Sequence, residues 1–301
     1  MLLLGTLLIG VRFIDCLTLC DPPNSLVRVI GGSTAPIGNY PWQAAVVFYD
    51  GSEQAMMCGA TIVDDRWVLT AAHCVMNTWK TAFILTGLGT VTDPRHTVHV
   101  EEAVIHPDYD ENEIINDIAL VKSKKSLLRR GVTAVCFTRD DTRLLASADT
   151  AIVLGFGLHI GEDLSRTGDE LTMGVSDVIL ETTLPIIPRR QCQSEWSILS
   201  GGTMRITDRQ ICAGSLLHGT APGDSGGPLL VKDPLGRLVQ VAVTSYGAGG
   251  VQGLLDQSTY PGVYTRVSPY IPWMELVTNS ASVSPELIAF LGLFIFCSCE
   301  G

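Results

Sequence analysis

The run Gly223-Asp224-Ser225-Gly226-Gly227-Pro228 surrounds a serine with small residues and one acid. Glycines allow the backbone to adopt positive φ angles and to approach a substrate closely. They also leave backbone N–H groups uncovered, and a pair of such groups can stabilise an oxyanion. The run is therefore either a glycine-rich turn or the setting of a nucleophilic serine. The second interpretation requires a base elsewhere in the chain.

Two other short motifs offer that base and an acid to orient it. His73 lies between small residues and a cysteine in Thr70–Cys74, and Asp117 directly precedes the apolar run 118–120. A serine hydroxyl becomes nucleophilic beside a neutral imidazole whose tautomer is fixed by a carboxylate. A single histidine is usually structural and a single Asp before an apolar run is usually a cap. The three motifs together favour a Ser-His-Asp site.

The motifs, in the chain order His73, Asp117, Ser225, resemble those of trypsin/chymotrypsin-type serine proteases, and the resemblance covers about residues 28–274. It implies His73 as general base and then acid, Asp117 as orienting carboxylate, and Ser225 as nucleophile. A lipase or esterase with a nucleophile elbow would have the order Ser, Asp, His, which this chain lacks.

The same resemblance implies further site residues and a fold. The N–H groups of Gly223 and Ser225 are expected to form the oxyanion hole. Ser245 is expected to support the buried Asp117 and to line the bound substrate strand. The implied fold is all-β, with two antiparallel six-stranded β-barrels, the active site in the crevice between them and a C-terminal helix. No cofactor and no metal are implied.

Activation by cleavage is a second implication of the resemblance. Arg28 precedes Val29-Ile30-Gly31-Gly32, where family members are cut after a basic residue. The new ammonium group of Val29 is then expected to pair with the carboxylate of Asp224 and to order the nucleophile loop, since a buried carboxylate is costly when unpaired. The chain as written is therefore predicted to be a zymogen, activated by a protease with basic-residue specificity.

The expected specificity pocket follows from the same alignment. Its base falls at Gly219, where trypsin-like members carry an Asp, with Thr220 beside it. Gly247 and Gly262 are expected to form its walls and to leave room for a large side chain. An apolar pocket without a buried charge favours cleavage after Phe, Tyr, Leu or Met.

A trypsin-like or broad specificity is the alternative. The loop 251–259 is several residues longer than in trypsin, and its Asp256 could reach the pocket and restore a preference for basic residues. A catalytically weak binding homologue is the remaining functional alternative, although such relatives usually lose the His or the Ser.

The nine cysteines indicate an oxidising compartment, because a secreted chain pairs most of its cysteines. The chain contains no Cys-x2-Cys pair of the kind that binds zinc. The family pattern implies three disulfides: Cys58 with Cys74, Cys192 with Cys212, and Cys136 with Cys20 or, as the less favoured choice, Cys16.

The two ends of the chain suggest targeting segments. Residues 1–19 start with an apolar run too short to span a membrane, typical of a signal peptide. Residues 20–28 then form an activation segment and 29–278 the protease domain. Residues 279–301 combine a short small-residue spacer with a hydrophobic tail, which fits a GPI-anchor signal. A short membrane-touching tail and a frayed extension are the alternatives.

Composition limits the classes of partner. The 301 residues include 17% charged and 46% hydrophobic residues, with a formal net charge of −11. Such a chain lacks the basic surface typical of nucleic-acid binding. Expected partners are protein or peptide substrates, an activating protease and protein inhibitors, outside the cell or attached to its surface.

Short β-branched runs separated by Gly, Pro, Asp and Asn predict an all-β domain. One helix is predicted, from Ser268 to about Val277, because its apolar residues recur at helical spacing. The predicted strands cover residues 43–49, 60–63, 67–70, 118–121, 151–154, 229–231 and 238–243.

Overall fold

The computed structural model describes residues 33–35, 38–52, 55–75, 78–88, 96–160, 173–175 and 178–280. The predicted signal peptide, activation segment and C-terminal tail lie outside these residues. Within the described part of the chain, no helix is long and apolar enough to cross a bilayer.

The first half of the chain forms a closed six-stranded antiparallel barrel. Its strands are arranged in the order β2-β3-β4-β7-β6-β5, and β5 pairs back with β2. With strands numbered along the chain, their bounds are β2 Gln43–Tyr49, β3 Ala55–Asp64, β4 Trp67–Thr70, β5 Thr81–Thr86, β6 His96–Ile105 and β7 Ala119–Ser123.

The second half closes in the same way, with six strands in the order β8-β11-β12-β15-β14-β13 and a further pairing of β13 with β8. The six-stranded antiparallel barrel is thus present twice, which confirms the predicted fold class. The bounds are β8 Thr150–Gly155, β11 Leu180–Ile187, β12 Gln210–Ala213, β13 Pro228–Lys232, β14 Leu238–Tyr246 and β15 Gly262–Arg266.

Three short strands lie beside these barrels. Strand β1 (Ser33–Thr34) pairs with β11, so the N-terminal end of the described chain lies on the second barrel. Strands β9 (Leu158–Ile160) and β10 (Met173–Val175) form a separate antiparallel pair.

The strand β2 shows how the two barrels share their packing. Its side chains alternate in direction, as the two-residue period of a strand requires. Val46 and Phe48 lie in the core of the first barrel, whereas Ala45 and Val47 pack in another cluster with residues of the second barrel such as Leu154. Both faces of β2 are therefore buried, which accounts for its nearly continuous apolar sequence.

The predicted C-terminal helix is present as a 3-10 turn, Ser268–Tyr270, followed by α4, Ile271–Ser280. Although this segment follows the second barrel, Tyr270, Ile271 and Met274 pack in the core cluster of the first. The helix thereby ties the two barrels together. Three helices were not predicted: α1 Thr142–Ser147, α2 Arg189–Leu199 and α3 Gly250–Leu255.

Candidate active site

Asp117 and His73 are brought together at one edge of the first barrel. The Asp117 carboxylate is fully buried just before β7, and His73 lies in a 3-10 turn directly after β4. Because β4 and β7 are paired, these two segments are neighbours. Asp117 Oδ1 accepts the backbone N–H of His73 at 2.9 Å, and Oδ2 lies 2.7 Å from His73 Nδ1.

Ser245 completes the surroundings of this carboxylate. Its hydroxyl donates to Asp117 Oδ2 at 2.5 Å from the second barrel. Ser245 lies in β14 at a register shift between Thr244 and Tyr246, and such a shift redirects a side chain. Ser245 thus reaches Asp117 across the two barrels.

These contacts set the protonation of the pair. Burial by itself raises the pKa of Asp117, but the hydrogen bonds from His73 and Ser245 and the attraction of His73 outweigh it and hold the pKa below its ordinary value. An ionised carboxylate can only accept, so His73 Nδ1 carries the proton toward Asp117. His73 Nε2 then has a lone pair and can act as a base.

The backbone of Ser225 is attached to the first barrel. Its carbonyl accepts the N–H of Gly59, in β3, at 2.7 Å. The preceding residue of β3, Cys58, is disulfide-bonded to Cys74, the neighbour of His73. Gly226 lies so close to Thr70 Oγ1 and Gly59 O that any side chain there would overlap them. These contacts fix the serine beside the histidine turn.

In the described part of the chain, His73 Nε2 makes a polar contact with Cys74 Sγ at 3.8 Å and no hydrogen bond to Ser225. Catalytic hydrogen bonds are often long in a free enzyme and shorten when substrate binds. The lack of this hydrogen bond in the free protein is therefore compatible with a hydrogen bond between Ser225 and His73 that forms when substrate binds.

The segment Gly223–Gly227 contains both free and hydrogen-bonded backbone N–H groups. The N–H groups of Asp224, Gly226 and Gly227 donate to carbonyl oxygens. Those of Gly223 and Ser225 have no acceptor among the described residues. Gly223 has φ +104°, which favours glycine. Two free N–H groups on either side of Asp224 are the donor pair that an oxyanion requires.

A family model described as Trypsin matches residues 29–274. The chain belongs to the trypsin family. As a member of this family, it is a serine protease, a hydrolase that acts on protein substrates. The match includes both barrels and all the residues that form the Ser225, His73 and Asp117 site.

In this trypsin-family protease, the acid beside the nucleophile is buried without a cationic partner among the described residues. Asp224 accepts the N–H groups of Gly157 at 2.7 Å and Ala221 at 2.8 Å. Burial raises its pKa to about 6, and the two backbone hydrogen bonds counteract only part of this effect. Val29, its expected partner after cleavage, lies outside the described residues, as does Arg28.

Three of the expected pocket residues, Gly219, Thr220 and Gly262, lie next to one side chain, that of Gln257. A side chain at Gly247 would meet no atom within 4 Å, so this wall is open. A side chain at Gly219 would overlap the amide of Gln257, which is buried and hydrogen-bonded to Thr220. The base therefore carries a neutral polar group, in place of the apolar surface expected from the sequence.

Asp256 does not supply a charge to this pocket. Its carboxylate Oδ1 accepts the N–H groups of Ser258 and Thr259, both at 3.2 Å, and a hydrogen bond from the Ser258 hydroxyl. It thus caps its own surface turn, which lowers its pKa. The side chain that enters from this loop is that of the next residue, Gln257.

Asn116 is a further residue of the site, and the sequence analysis did not identify it. Its φ of 54° is uncommon for a residue other than glycine, although Asn tolerates it better than most. Asn116 Oδ1 accepts from the Tyr270 hydroxyl at 2.8 Å, and Nδ2 donates to the Asp108 carbonyl at 2.7 Å. The residue before Asp117 is therefore held by both ends of its side chain.

A cavity of about 640 Å³ opens beside His73. It lies between the histidine turn and the segment that connects β6 to β7. Its lining combines apolar side chains with the acids of that segment: Ala72, Val75, Ile105, His106, Pro107, Tyr109, Asp110, Glu111 and Asn112.

The disulfides brace this site. Cys58–Cys74 and Cys192–Cys212 are both present. Cys136 is also disulfide-bonded, and Cys20, its expected partner, lies outside the described residues. Cys58, His73 and Cys74 have potential metal-ligand atoms within 4.8 Å of one another. Because both cysteines are oxidised, they offer no thiolate to a metal.

Proposed function

We propose that this protein is a secreted serine endopeptidase in which Ser225, His73 and Asp117 act as the catalytic triad. The observation that carries the proposal is the pair of bonds on Asp117, which orient His73 with its Nε2 lone pair available. The free N–H groups of Gly223 and Ser225 support an oxyanion hole next to the nucleophile.

The mechanism follows from these positions. Ser225 Oγ attacks the peptide carbonyl while its proton moves to His73 Nε2. The N–H groups of Gly223 and Ser225 bind the negative oxygen of the tetrahedral intermediate. His73 then gives the proton to the leaving amine, and an acyl-enzyme ester forms. Water, deprotonated by His73, attacks the ester and returns Ser225 to its initial state.

The proposed activation by cleavage after Arg28 has geometric support. Thr34 pairs with Leu180, Leu180 pairs with Gly155, and Gly155 touches the Asp224 carboxylate. Two strand spacings separate Thr34 from Gly155, about 10 Å. Val29 is five residues before Thr34, and five residues reach up to about 17 Å. A new ammonium group on Val29 can therefore reach the buried acid.

The pairing changes the state of Asp224. Before cleavage, burial raises the pKa of Asp224, so its ionised form is disfavoured. An adjacent ammonium stabilises the ionised form, and the resulting ion pair orders the segment Gly223–Ser225. Activation would in this way complete the oxyanion hole.

The proposed substrate preference is for large hydrophobic residues before the scissile bond. Gly219 supplies no carboxylate, and the Asp256 carboxylate is held in its own turn. The open wall at Gly247 leaves space for a large side chain. Trypsin-like or broad specificity is the alternative, and hydrolysis of peptides ending in Phe, Leu, Ala and Arg distinguishes them. A tenfold preference for Arg, about 1.4 kcal/mol in the transition state, would contradict the hydrophobic preference.

The proposed location is outside the cell. Disulfides form and persist in oxidising compartments, and the structure contains two complete bridges in the described residues. The predicted signal peptide at residues 1–19 and the GPI-anchor signal at 279–301 remain proposals. Release of the protein from intact cells by a phosphatidylinositol-specific phospholipase tests the anchor.

Labelling with a fluorophosphonate tests the catalytic proposal. We expect Ser225 to react after the full chain is cut at Arg28, to react weakly before cleavage, and not to react in the Ser225→Ala variant. An Arg28→Gln variant, exposed to the same activating protease, is expected to stay weakly reactive. Absence of labelling in every form would favour the alternative of a binding homologue without catalysis.

A further inference from the structure

We propose that Gln257 forms the floor of the primary pocket and makes this protease selective for neutral side chains before the scissile bond. The inference rests on the proposed function, because it assigns a specificity-determining residue to that same site. The family resemblance implied Gly219, Thr220, Ser245, Gly247 and Gly262 as pocket residues and did not include Gln257.

The amide of Gln257 lies between Gly219, at the expected base, and Gly262, in an expected wall. A side-chain carbon built on Gly219 would overlap the Oε1 and Cδ atoms of Gln257. A carbon built on Gly262 would lie 3.2 Å from Gln257 Oε1 and 3.2 Å from the Tyr264 hydroxyl. Gln257 thus takes the position that a side chain at residue 219 would occupy, so the glycine does not deepen the pocket.

The amide is held in place by the backbone that it faces. Gln257 Nε2 donates to the Thr220 carbonyl at 2.5 Å, and Oε1 accepts the Thr220 N–H at 3.1 Å. Gln257 is only 2% exposed. Its Cβ is packed against Gly214, where φ is +145° and any side chain would overlap it. Both ends of Gln257 are therefore fixed, and the amide can act as a rigid floor.

The floor is polar and uncharged. The groups around it are the Thr220 hydroxyl and the Tyr264 hydroxyl, 3.3 Å apart, and the Gln257 amide itself. The neighbouring acid, Asp256, is bonded to Ser258 and Thr259 on the surface. A cationic side chain that enters the pocket meets no carboxylate at Gly219 and none from Asp256, whereas a neutral one loses little on entry.

The proposal predicts that Gly219 and Gln257 act as a unit. Gly219 has no left-handed φ, so an Asp there is not strained by the backbone. We expect Gly219→Asp alone to gain little activity toward Arg, because Gln257 fills the space that the carboxylate needs. Combined with Gln257→Ala, the same carboxylate should reach the floor and bind a cationic side chain.

The experiment compares the wild type, both single variants and the double variant of the full chain after cleavage at Arg28. The readout is the ratio of kcat/KM for peptides with Arg and with Tyr before the scissile bond. We expect the double variant to exceed the product of the two single effects by at least about tenfold. Gly219→Asp combined with Gln252→Ala is the matched control, since Gln252 is exposed in the same loop; it should behave as Gly219→Asp alone.

A second variant keeps the test independent of Gly219. Gln257→Glu places a carboxylate at the floor with almost no change in volume, and we expect it to raise the Arg to Tyr ratio. The proposal is overturned if Gly219→Asp alone matches the double variant, or if neither the double variant nor Gln257→Glu raises the ratio.

Binding of the cationic ligand benzamidine separates the catalytic proposal from the proposed role of Gln257. It is measured by calorimetry on the same variants, each carrying Ser225→Ala. Tighter benzamidine binding in the double variant and in Gln257→Glu supports Gln257 as the floor, whether or not the enzyme hydrolyses peptides. If no form with Ser225 intact hydrolyses peptides, only the catalytic proposal is refuted. Unchanged benzamidine binding in both overturns the role of Gln257.

Discussion

The carboxylate of Asp224 occupies the space in which Gly155 would carry a side chain. A carbon at Gly157 would also lie only 2.6 Å from Asp224 Cγ. Neither glycine has a left-handed φ, so the backbone conformation does not require glycine at either position. A side chain at either position would instead collide with the carboxylate of Asp224. The position of Ser225 depends on this space, because Asp224 is its neighbour.

Gly155→Ala is therefore expected to displace Asp224 and to impair catalysis. Overpacking of this kind costs about 1–3 kcal/mol of unfolding free energy, and we expect the cleaved enzyme to lose at least about tenfold in kcat, since each 1.4 kcal/mol in the transition state is tenfold. Urea unfolding and peptide hydrolysis measure the two effects. Gly249→Ala, at a site with free space and no left-handed φ, is the control that should unfold as the wild type.

The raised pKa of Asp224 predicts the pH dependence of the uncleaved chain. Its folded pKa of about 6 exceeds the ordinary value of 3.8, so its contribution to stability is fully present below about pH 4 and is lost as pH rises through about 6. The loss amounts to about 3 kcal/mol of unfolding free energy. Asp224→Asn lacks this titration, so the stability difference between the two proteins should change across that window.

Unfolding profiles of the two uncleaved proteins that stay parallel from pH 4 to 7 would contradict this assignment. Cleavage at Arg28 provides a further comparison. If Val29 then pairs with Asp224, the pKa of the acid falls and the contribution grows, rather than disappears, as pH rises.

Asn116→Ala is expected to weaken the support of Asp117. The variant loses the bonds to Tyr270 and Asp108 while its φ remains unfavourable. We expect a loss of about 1–3 kcal/mol in unfolding free energy and a fall in kcat with little change in KM. Glu113→Ala, at an exposed position in the same segment and outside the lining of the cavity, should leave the unfolding free energy and kcat unchanged.

Asn116→Gly separates the two causes, because glycine adopts the left-handed φ without strain. If the glycine variant restores full stability and kcat, the hydrogen bonds of Asn116 are not the important contribution.

Ser245→Ala removes one of the hydrogen bonds on Asp117 Oδ2. The Asp117 carboxylate then loses one of the contacts that lower its pKa and hold it in place beside His73. We expect the rate at neutral pH to fall about tenfold, equivalent to 1.4 kcal/mol in the transition state. Ser258→Ala is the control, because it also removes a hydroxyl that donates to a carboxylate, that of Asp256. Its kcat/KM should equal that of the wild type.

Strand positions could be predicted where buried β-branched residues form an unbroken run. Residues 43–49 and 67–70 are strands with the predicted bounds. Strand β6 was missed because its sequence, HTVHVEEAVI, mixes charged and apolar side chains on a partly exposed surface. Helix α2 was missed because only Cys192 and Trp196 are buried along it, too few to produce a helical pattern.

The site residues that could be predicted from the sequence are those that lie in short motifs. The motifs around His73, Asp117 and Ser225 are local, and each identifies its own residue. Gln257 could not be found in this way, because it meets Thr220 at a separation of 37 residues and lies in a loop of unusual length. The asparagine before Asp117 offered one signal, its tolerance of left-handed φ, but a turn explains that signal equally well.

The hydrogen bond from Gly59 to the Ser225 carbonyl crosses from one barrel to the other. Ser225 and His73 therefore belong to different barrels, and the distance between them depends on how the two barrels sit against each other. The cluster that contains Ala45, Val47 and Leu154 packs residues of both barrels against one another. We therefore expect changes in side-chain volume there to alter turnover while every residue of the active site stays the same.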